Sequence, residues 1–325
     1  MNRANPLTLW KDKKILILGD VMIDRYLMGG VHRISPEAPV PVLNLESQED
    51  RLGGASNVAL NVQSLGGIPI LFSIVGEDET GLRLKQLMDQ QALITDYIFP
   101  VRGRKSTIKS RVMAGSQQLL RIDDETTVPI QAKEIDHIFL NIQLFLQNNQ
   151  VECILFQDYN KGLLVPDLIE KTIQIANRLS IPTIVDPKAD NFWTYKGVTL
   201  FKPNLKEIKE RVNFPLDTSL ELLSKGAAYI RDKLKNDLTV ITLSADGIFA
   251  NDHQASFIEP AKKRMIADVC GAGDTVVSVL ALALAARIEV REMVKLANIA
   301  GGQVCEIPGV IAVNLESLQK EYLKN

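Results

Sequence analysis

The stretch VECILFQD, residues 151–158, is a compact apolar run that stops on polar residues. A short run without strict apolar–polar alternation suits a strand buried on both faces, as in a parallel sheet covered by helices. Five more stretches read the same way: KKILILGD (13–20), IPILFSIVGED (68–78), IPTIVDP (181–187), GVTLFKPN (197–204) and LTVITLSADG (238–247). Between them lie helical patterns over 55–65, 81–91, 132–147, 167–179, 220–235 and 275–287. Strands alternating with helices imply a doubly wound α/β sheet.

Polar residues gather just after these strands: Asp20, Glu77, Asp78, Asp158, Asp186, Lys188, Lys202, Asn204, Ser244 and Asp246. In open α/β sheets ligands bind outside the carboxyl ends of the strands. Any one of these residues is equally well a turn or N-cap residue. Six strands ending alike make that edge the candidate site. Two stretches break the alternation, Tyr26–Asp50 with HRISPEAPVPVLNLE and Asp96–Asp123 with STIKSRVMAGSQQLLRID. Both read as short antiparallel strands with turns, forming a small lid (about 26–50 and 96–123) over the sheet edge.

The 325 residues suit one large α/β domain with an insertion. A net charge of −2 supplies no global field toward nucleic acid or anionic lipid, so an anionic ligand has to be held by local groups. The N-terminus has no apolar core of signal-peptide length, and the longest apolar run, Val276 to Ala286, is too short to span a bilayer. Cys153, Cys270 and Cys305 match neither metal spacing nor a disulfide framework, so the expectation is a reduced, cytoplasmic protein.

DVCGAGDT, residues 268–275, precedes an Ala/Leu-rich helix expected to start near Thr275. Gly271 and Gly273 permit a tight turn with outward amides, and a helix N-terminus adds partial positive charge, which together suit an anion. Asp274 in the first turn would stand beside that anion as a general base for phosphoryl transfer. Taken alone, the pattern fits a capped helix just as well. In RLGGASNVALNVQSLGG (51–67) two glycines precede a helix with Asn57 in its first turn, and GDVMID (19–24) sets Asp20 and Asp24 after the first strand, where carboxylates suit vicinal hydroxyls. No P-loop, dinucleotide fingerprint, H-E-x-x-H or G-x-S-x-G occurs, and His32, His137 and His253 pair with no nucleophile.

Together these residues resemble the ribokinase-like, or PfkB, family of carbohydrate kinases, whose two signatures are GG-x-x-N and G-A-G-D. GDVMIDRY, RISPEAPVPV, RLGGASNVALNVQSLGG, QQLLRID, DYNKG, VDPK and KPNLKE resemble in particular the kinase domains of heptose-phosphate kinases and ADP-heptose synthases, from about Lys14 to Gly302. The resemblance implies a ribokinase-like three-layer α/β/α sandwich with a mostly parallel sheet and a β lid, one kinase domain over 1–325. It implies phosphorylation of D-glycero-β-D-manno-heptose 7-phosphate at C1 with ATP and Mg²⁺, on the route to the lipopolysaccharide core. Asp274 would be the catalytic base, with Gly271, Ala272 and Gly273 as the anion hole. Asp20, Asp24, Gly53, Gly54 and Asn57 would serve the sugar. Asn204, Glu207, Ser244, Gly247 and Lys188 would serve the nucleotide, with Mg²⁺ held through ATP and the Glu207 network rather than by a direct protein ligand set. Arg111, Arg121 and Lys161 are candidates for the substrate phosphate, and each is equally a solvated surface charge.

Three departures stand out. Cys270 replaces the usual Thr, EIPGVIAVNLESL (306–318) lacks the small polar residues of a segment that often helps bind a monovalent cation, and no nucleotidyltransferase signature H-x-G-H follows. The expected partners are a sugar phosphate, ATP and a second copy of the chain joined through the lid, with no nucleic acid and no membrane. A PfkB-type kinase for ribose, fructose or adenosine and a catalytically impaired sugar- or nucleotide-binding protein are the alternatives.

Overall fold

Ile15 and Ile17 of the first strand enter one hydrophobic core, while Leu16 and Leu18 enter another. That alternation on an all-apolar strand is what a sheet covered on both faces requires. Each such side chain contributes roughly 1.5–3 kcal/mol on leaving water, so the strand is held from both sides. The computed structural model describes residues 6–115 and 117–324. The first five residues of the stretch inspected for a signal peptide, Ser116 of the second lid stretch and Asn325 lie outside the described residues.

The strands are β1 (Lys14–Gly19), β2 (Val21–Ile34), β3 (Pro41–Gly54), β4 (Ile68–Gly76), β5 (Ile98–Val101), β6 (Ile108–Ala114), β7 (Gln117–Asp124), β8 (Cys153–Gln157), β9 (Thr183–Asp186), β10 (Leu200–Phe201), β11 (Leu238–Thr242), β12 (Ile248–Asn251) and β13 (Ser256–Glu259). Nine form the central sheet in the order β13-β12-β11-β10-β9-β8-β1-β4-β5. Pairing is parallel from β11 through to β5, and β12 and β13 add an antiparallel edge. The helices are α1 (Ala55–Ser64), α2 (Glu79–Gln90), α3 (Ala132–Asn148), α4 (Pro166–Arg178), α5 (Leu205–Lys209), α6 (Leu220–Leu234), α7 (Ala272–Ala285), α8 (Val290–Val304) and α9 (Leu315–Tyr322). Apolar residues of α1, α2, α7, α8 and α9 share the core with Ile15, and those of α3, α4, α5 and α6 share the core with Leu16. The fold is the expected three-layer α/β/α sandwich.

The remaining strands form a four-stranded sheet, β3-β2-β6-β7. β2 pairs antiparallel with β3 and parallel with β6, and β6 pairs antiparallel with β7. The short strands expected in the first stretch are instead two of 14 residues each, running back to Val21 and on to Gly54. The second sheet therefore includes Asp24 and Gly53 and leads directly into α1. Ile98–Val101, read as part of the lid, instead extends the central sheet beside β4. Only two residues of GVTLFKPN are strand; Pro203 lacks an amide for the ladder, and pairing resumes past it as an isolated bridge between Asn204 and Thr242. Helix α7 begins three residues earlier than expected, at Ala272, which places Asp274 two residues inside it. Helices α8 and α9 and the edge strands β12 and β13 were not among the patterns read from sequence.

Candidate functional site

The carboxyl ends of β8 and β9 bring Gln157 and Asp186 to the N-terminus of α7. Gly271 is the N-cap there with φ 78°, a left-handed conformation that suits glycine, and a Cβ on it would come 3.1 Å from the Asn57 amide nitrogen. Three residues on, Asp274 is buried and its carboxylate is held from three sides. Asn57 Nδ2 donates to Oδ2 at 2.9 Å. Gln157 Nε2 and the Tyr159 hydroxyl donate to Oδ1 at 3.1 and 2.7 Å. Burial pushes this carboxyl up to about 7 despite the Asn57 and Tyr159 hydrogen bonds, and the charges of Asp186 and Asp24 add to the rise. An aspartate poised near neutrality at a helix N-terminus can take a proton there.

The expected anion hole is only partly free. The Ala272 amide donates to Val269 O at 3.3 Å. Gly273 is exposed at the helix start. Cys270 is half-buried, its amide bound to Asp268 Oδ1 at 3.0 Å, and burial with the neighbouring Asp268 pushes its thiol up to about 11. The thiol therefore stays protonated at neutral pH.

Next to this lies a basic–acidic cluster. Lys188 Nζ contacts Glu207 Oε1 at 2.6 Å and stands 5.6 Å from the centre of the Tyr159 ring. Burial opposes the Lys188 charge, but Asp186 and Glu207 outweigh it and hold its pKa well above the usual lysine range. Asn204 and Glu207 form a capping box on α5: Asn204 Oδ1 accepts from the Glu207 amide and Glu207 Oε2 from the Asn204 amide, both at 2.8 Å. The N-x-x-E element therefore shapes the helix start while leaving Glu207 beside Lys188. Lys202 and Asp186 form a buried pair at 3.1 Å. Ser244 is exposed in the turn after β11, with φ 57°, and Gly247 closes that turn.

The expected sugar residues divide. Asp24 is buried in β2 and pairs with Arg111 of β6. A Cβ on Gly53 would stand 2.1 Å from Asp24 Oδ2, so glycine there is what lets the pair lie against β3. Arg111 thus arrives already neutralised, its charge supported by Asp24 against the cost of burial. Asp20, expected at the sugar, instead accepts the amides of Tyr159 at 2.9 Å, Lys161 at 3.1 Å and Leu163 at 3.4 Å. It fixes the 159–163 loop, and burial with Asp158 nearby pushes it up to about 6. Gly54 is the N-cap of α1 at φ 58°. Lys161 pairs with Glu125 at 2.6 Å, whereas Arg121 lies exposed on β7 against Asp123 at 2.8 Å.

Sequence reading missed Gln157 and Tyr159. Both sit in stretches singled out for other reasons, the end of VECILFQD and DYNKG, but only the acidic residue between them was weighed. It also missed Tyr26 and Arg51. The Tyr26 hydroxyl accepts from the Val310 amide at 3.1 Å, and Arg51 Nη1 donates to Pro308 O and Val310 O at 3.3 Å each. These contacts tie the second sheet to the 306–318 segment. They also set the Arg51 guanidinium on two carbonyls of that segment.

A protein-family model described as pfkB family carbohydrate kinase matches residues 12–317. The bifunctional protein HldE of Campylobacter curvus is 37% identical over 316 residues, covering 95% of this chain and 65% of the relative. HldE of Granulibacter bethesdensis is 34% identical, covering 95% and 64%. The chain thus spans slightly under two thirds of the length of these curated relatives. Among solved structures, phosphofructokinase-2 from Escherichia coli in complex with potassium superposes with a TM-score of 0.79 at 21% identity, over 97% of this chain and 99% of that one. Ribokinase from Arabidopsis thaliana complexed with ribose and ATP superposes with a TM-score of 0.72 at 15% identity, over 96% and 98%.

Proposed function

The chain belongs to the pfkB family of carbohydrate kinases, phosphotransferases with an alcohol group as acceptor, and from that premise we propose that it phosphorylates D-glycero-β-D-manno-heptose 7-phosphate at C1, using ATP. The observation that carries the reading is the buried Asp274 carboxylate at the N-terminus of α7, held by Asn57, Gln157 and Tyr159. The heptose is favoured by RISPEAPVPV and by similarity to HldE over 95% of the chain.

In this reading Asp274 accepts the C1 hydroxyl proton as that oxygen bonds to the γ-phosphorus and the bond to the bridging oxygen of ADP breaks. Amides at the start of α7 stabilise charge on the transferring group. Such transition states are loose, so positioning and electrostatics contribute more than the base itself. Lys188 and the Asp24–Arg111 pair flank the reacting groups. Among the described residues no cluster of three or more His, Cys, Asp or Glu is arranged to hold a metal directly, and both Glu207 oxygens are already engaged. Mg²⁺ would be carried on the nucleotide phosphates, where it would neutralise their charge, with the Glu207–Lys188 network beside it. Asn204 and Glu207 with the 244–247 turn would face the nucleotide.

A homodimer through the second sheet belongs to the same proposal, because Leu45, Leu120 and Ile122 of β3 and β7 are about half exposed. Among the described residues no helix is long and apolar enough to cross a membrane. With three free cysteines, a cytoplasmic location near the ATP supply is proposed.

The test is release of ADP from Mg-ATP over a panel of heptose, hexose and pentose phosphates, with nucleosides included. Preference for the heptose 7-phosphate supports the reading. Faster turnover of another acceptor, or of none, overturns it.

A further inference from the structure

Gln157 closes β8 and is fully buried. Its Nε2 donates to Asp274 Oδ1 at 3.1 Å and lies 3.5 Å from Asp186 Oδ2. Turning the amide over would set its oxygen against two carboxylates, so chemistry fixes which edge faces them. The other edge, Oε1, is then a buried acceptor with no hydrogen-bond partner among the described residues. Glu125, Asn160, Asn236 and Gln303 also leave a buried acceptor without a hydrogen-bond partner, but that of Gln157 belongs to the side chain that touches Asp274, and an unmade bond is costly. Gln157 pairs through its backbone with Gly19 and Asp186 in the sheet ladder, a role that requires no amide side chain.

We propose that Gln157 is a substrate-contacting specificity residue, whose Oε1 accepts a hydrogen bond from the hydroxyl on the carbon next to the one phosphorylated. The inference rests on the kinase reading of Asp274 given above. One amide then serves two neighbouring groups: its nitrogen steadies the base that takes the reacting hydroxyl's proton, and its oxygen receives the adjacent hydroxyl. A vicinal diol, as at C1 and C2 of an aldose, presents two hydroxyls side by side in the way this carboxylate–amide pair requires. An acceptor lacking the second hydroxyl would leave Oε1 buried and unpaired, and a site built to bind a hydroxyl rejects such analogues strongly.

The test is a comparison of the hydroxylated acceptor with its 2-deoxy analogue in the wild type and in Gln157→Leu, a change that keeps the bulk and removes both polar edges. The wild type is expected to lose roughly 10-fold or more in kcat/KM on the deoxy acceptor. Gln157→Leu is expected to be slower on the parent and to show no further loss on the deoxy form. A wild type indifferent to the hydroxyl, or a variant that discriminates as strongly as the wild type, overturns the proposal. Because other side chains could also sense that hydroxyl, Gln157→Met supplies the same comparison should Gln157→Leu fail to fold. Should the panel return a different acceptor, the heptose reading falls, while the same comparison on that acceptor and its deoxy form still decides Gln157. Calorimetric binding of the two forms gives the comparison where turnover is absent.

Discussion

The Tyr159 hydroxyl donates to Asp274 Oδ1 at 2.7 Å, and the Tyr159 amide is itself held by Asp20 at 2.9 Å. A carboxylate at the end of the first strand thereby sets, through a loop, the position of the group at the start of α7. Hydrogen bonds to a carboxylate favour its charged form, so Tyr159 holds Asp274 below where burial alone would put it. Removing that hydroxyl raises the Asp274 pKa above its present value of about 7. A base must be ionised to act, so Tyr159→Phe should shift the acidic limb of the kcat/KM profile to higher pH, by roughly half a unit to one unit. Turnover should fall near neutrality and recover toward alkaline pH. An unmoved limb would mean the hydroxyl only fills space.

Asp274→Asn should cut turnover by roughly 10²–10⁴ with ATP affinity largely kept. The same variant tests the buried carboxyl by linkage. Asp274 ionises near 7 when folded, against 3.8 for an ordinary aspartate. Between those values the folded state keeps a proton that the unfolded chain has released, so stability declines as pH rises through that window. The advantage of wild type over Asp274→Asn in urea unfolding should therefore shrink by a few kcal/mol between about pH 4 and pH 8. Parallel curves would place the ionisation elsewhere.

Arg111 and Asp24 are a buried pair, so removing one partner strands the other. Arg111→Met should cost about 3–5 kcal/mol in denaturant unfolding, and adding Asp24→Asn should recover much of that. If the single and double variants are equally unstable, the Arg111 side chain matters for packing rather than charge.

The capping box separates two roles of KPNLKE. Asn204→Ala removes the side-chain acceptor at the N-cap of α5 and should cost about 1 kcal/mol of stability. Glu207→Gln keeps an oxygen for the Asn204 amide but loses the ionic contact to Lys188, so its effect should fall on KM for Mg-ATP and little on Tm. Steady-state kinetics beside thermal unfolding distinguishes them, and a Glu207→Gln variant with normal KM would remove Glu207 from the nucleotide network.

The parallel sheet was legible because buried strands must be apolar throughout, as in KKILILGD, whose side chains feed two cores. The edge strands β12 and β13 were not, since IFAN (248–251) and SFIE (256–259) are four residues each, too short to show a pattern. Asn57 and Asp274 could be singled out from local motifs 217 residues apart, yet nothing local says that Asn57 donates to Asp274. Asp20 illustrates the same limit: a carboxylate after a strand reads as a ligand, and nothing local says that it accepts three loop amides.

The sequence by itself determined the layered α/β architecture, the edge where the polar residues gather and the turn that carries Asp274. Those follow from local rules, because hydrophobic periodicity and glycine-bearing helix starts are properties of neighbouring residues. Tertiary structure alone decided which polar groups are spent on the protein and which are left for a ligand. Asp20 accepts three loop amides, while among the described residues Gln157 keeps one buried acceptor unpaired. Hydrogen bonds between distant segments make that division, and a linear pattern carries no record of which donor will meet which acceptor.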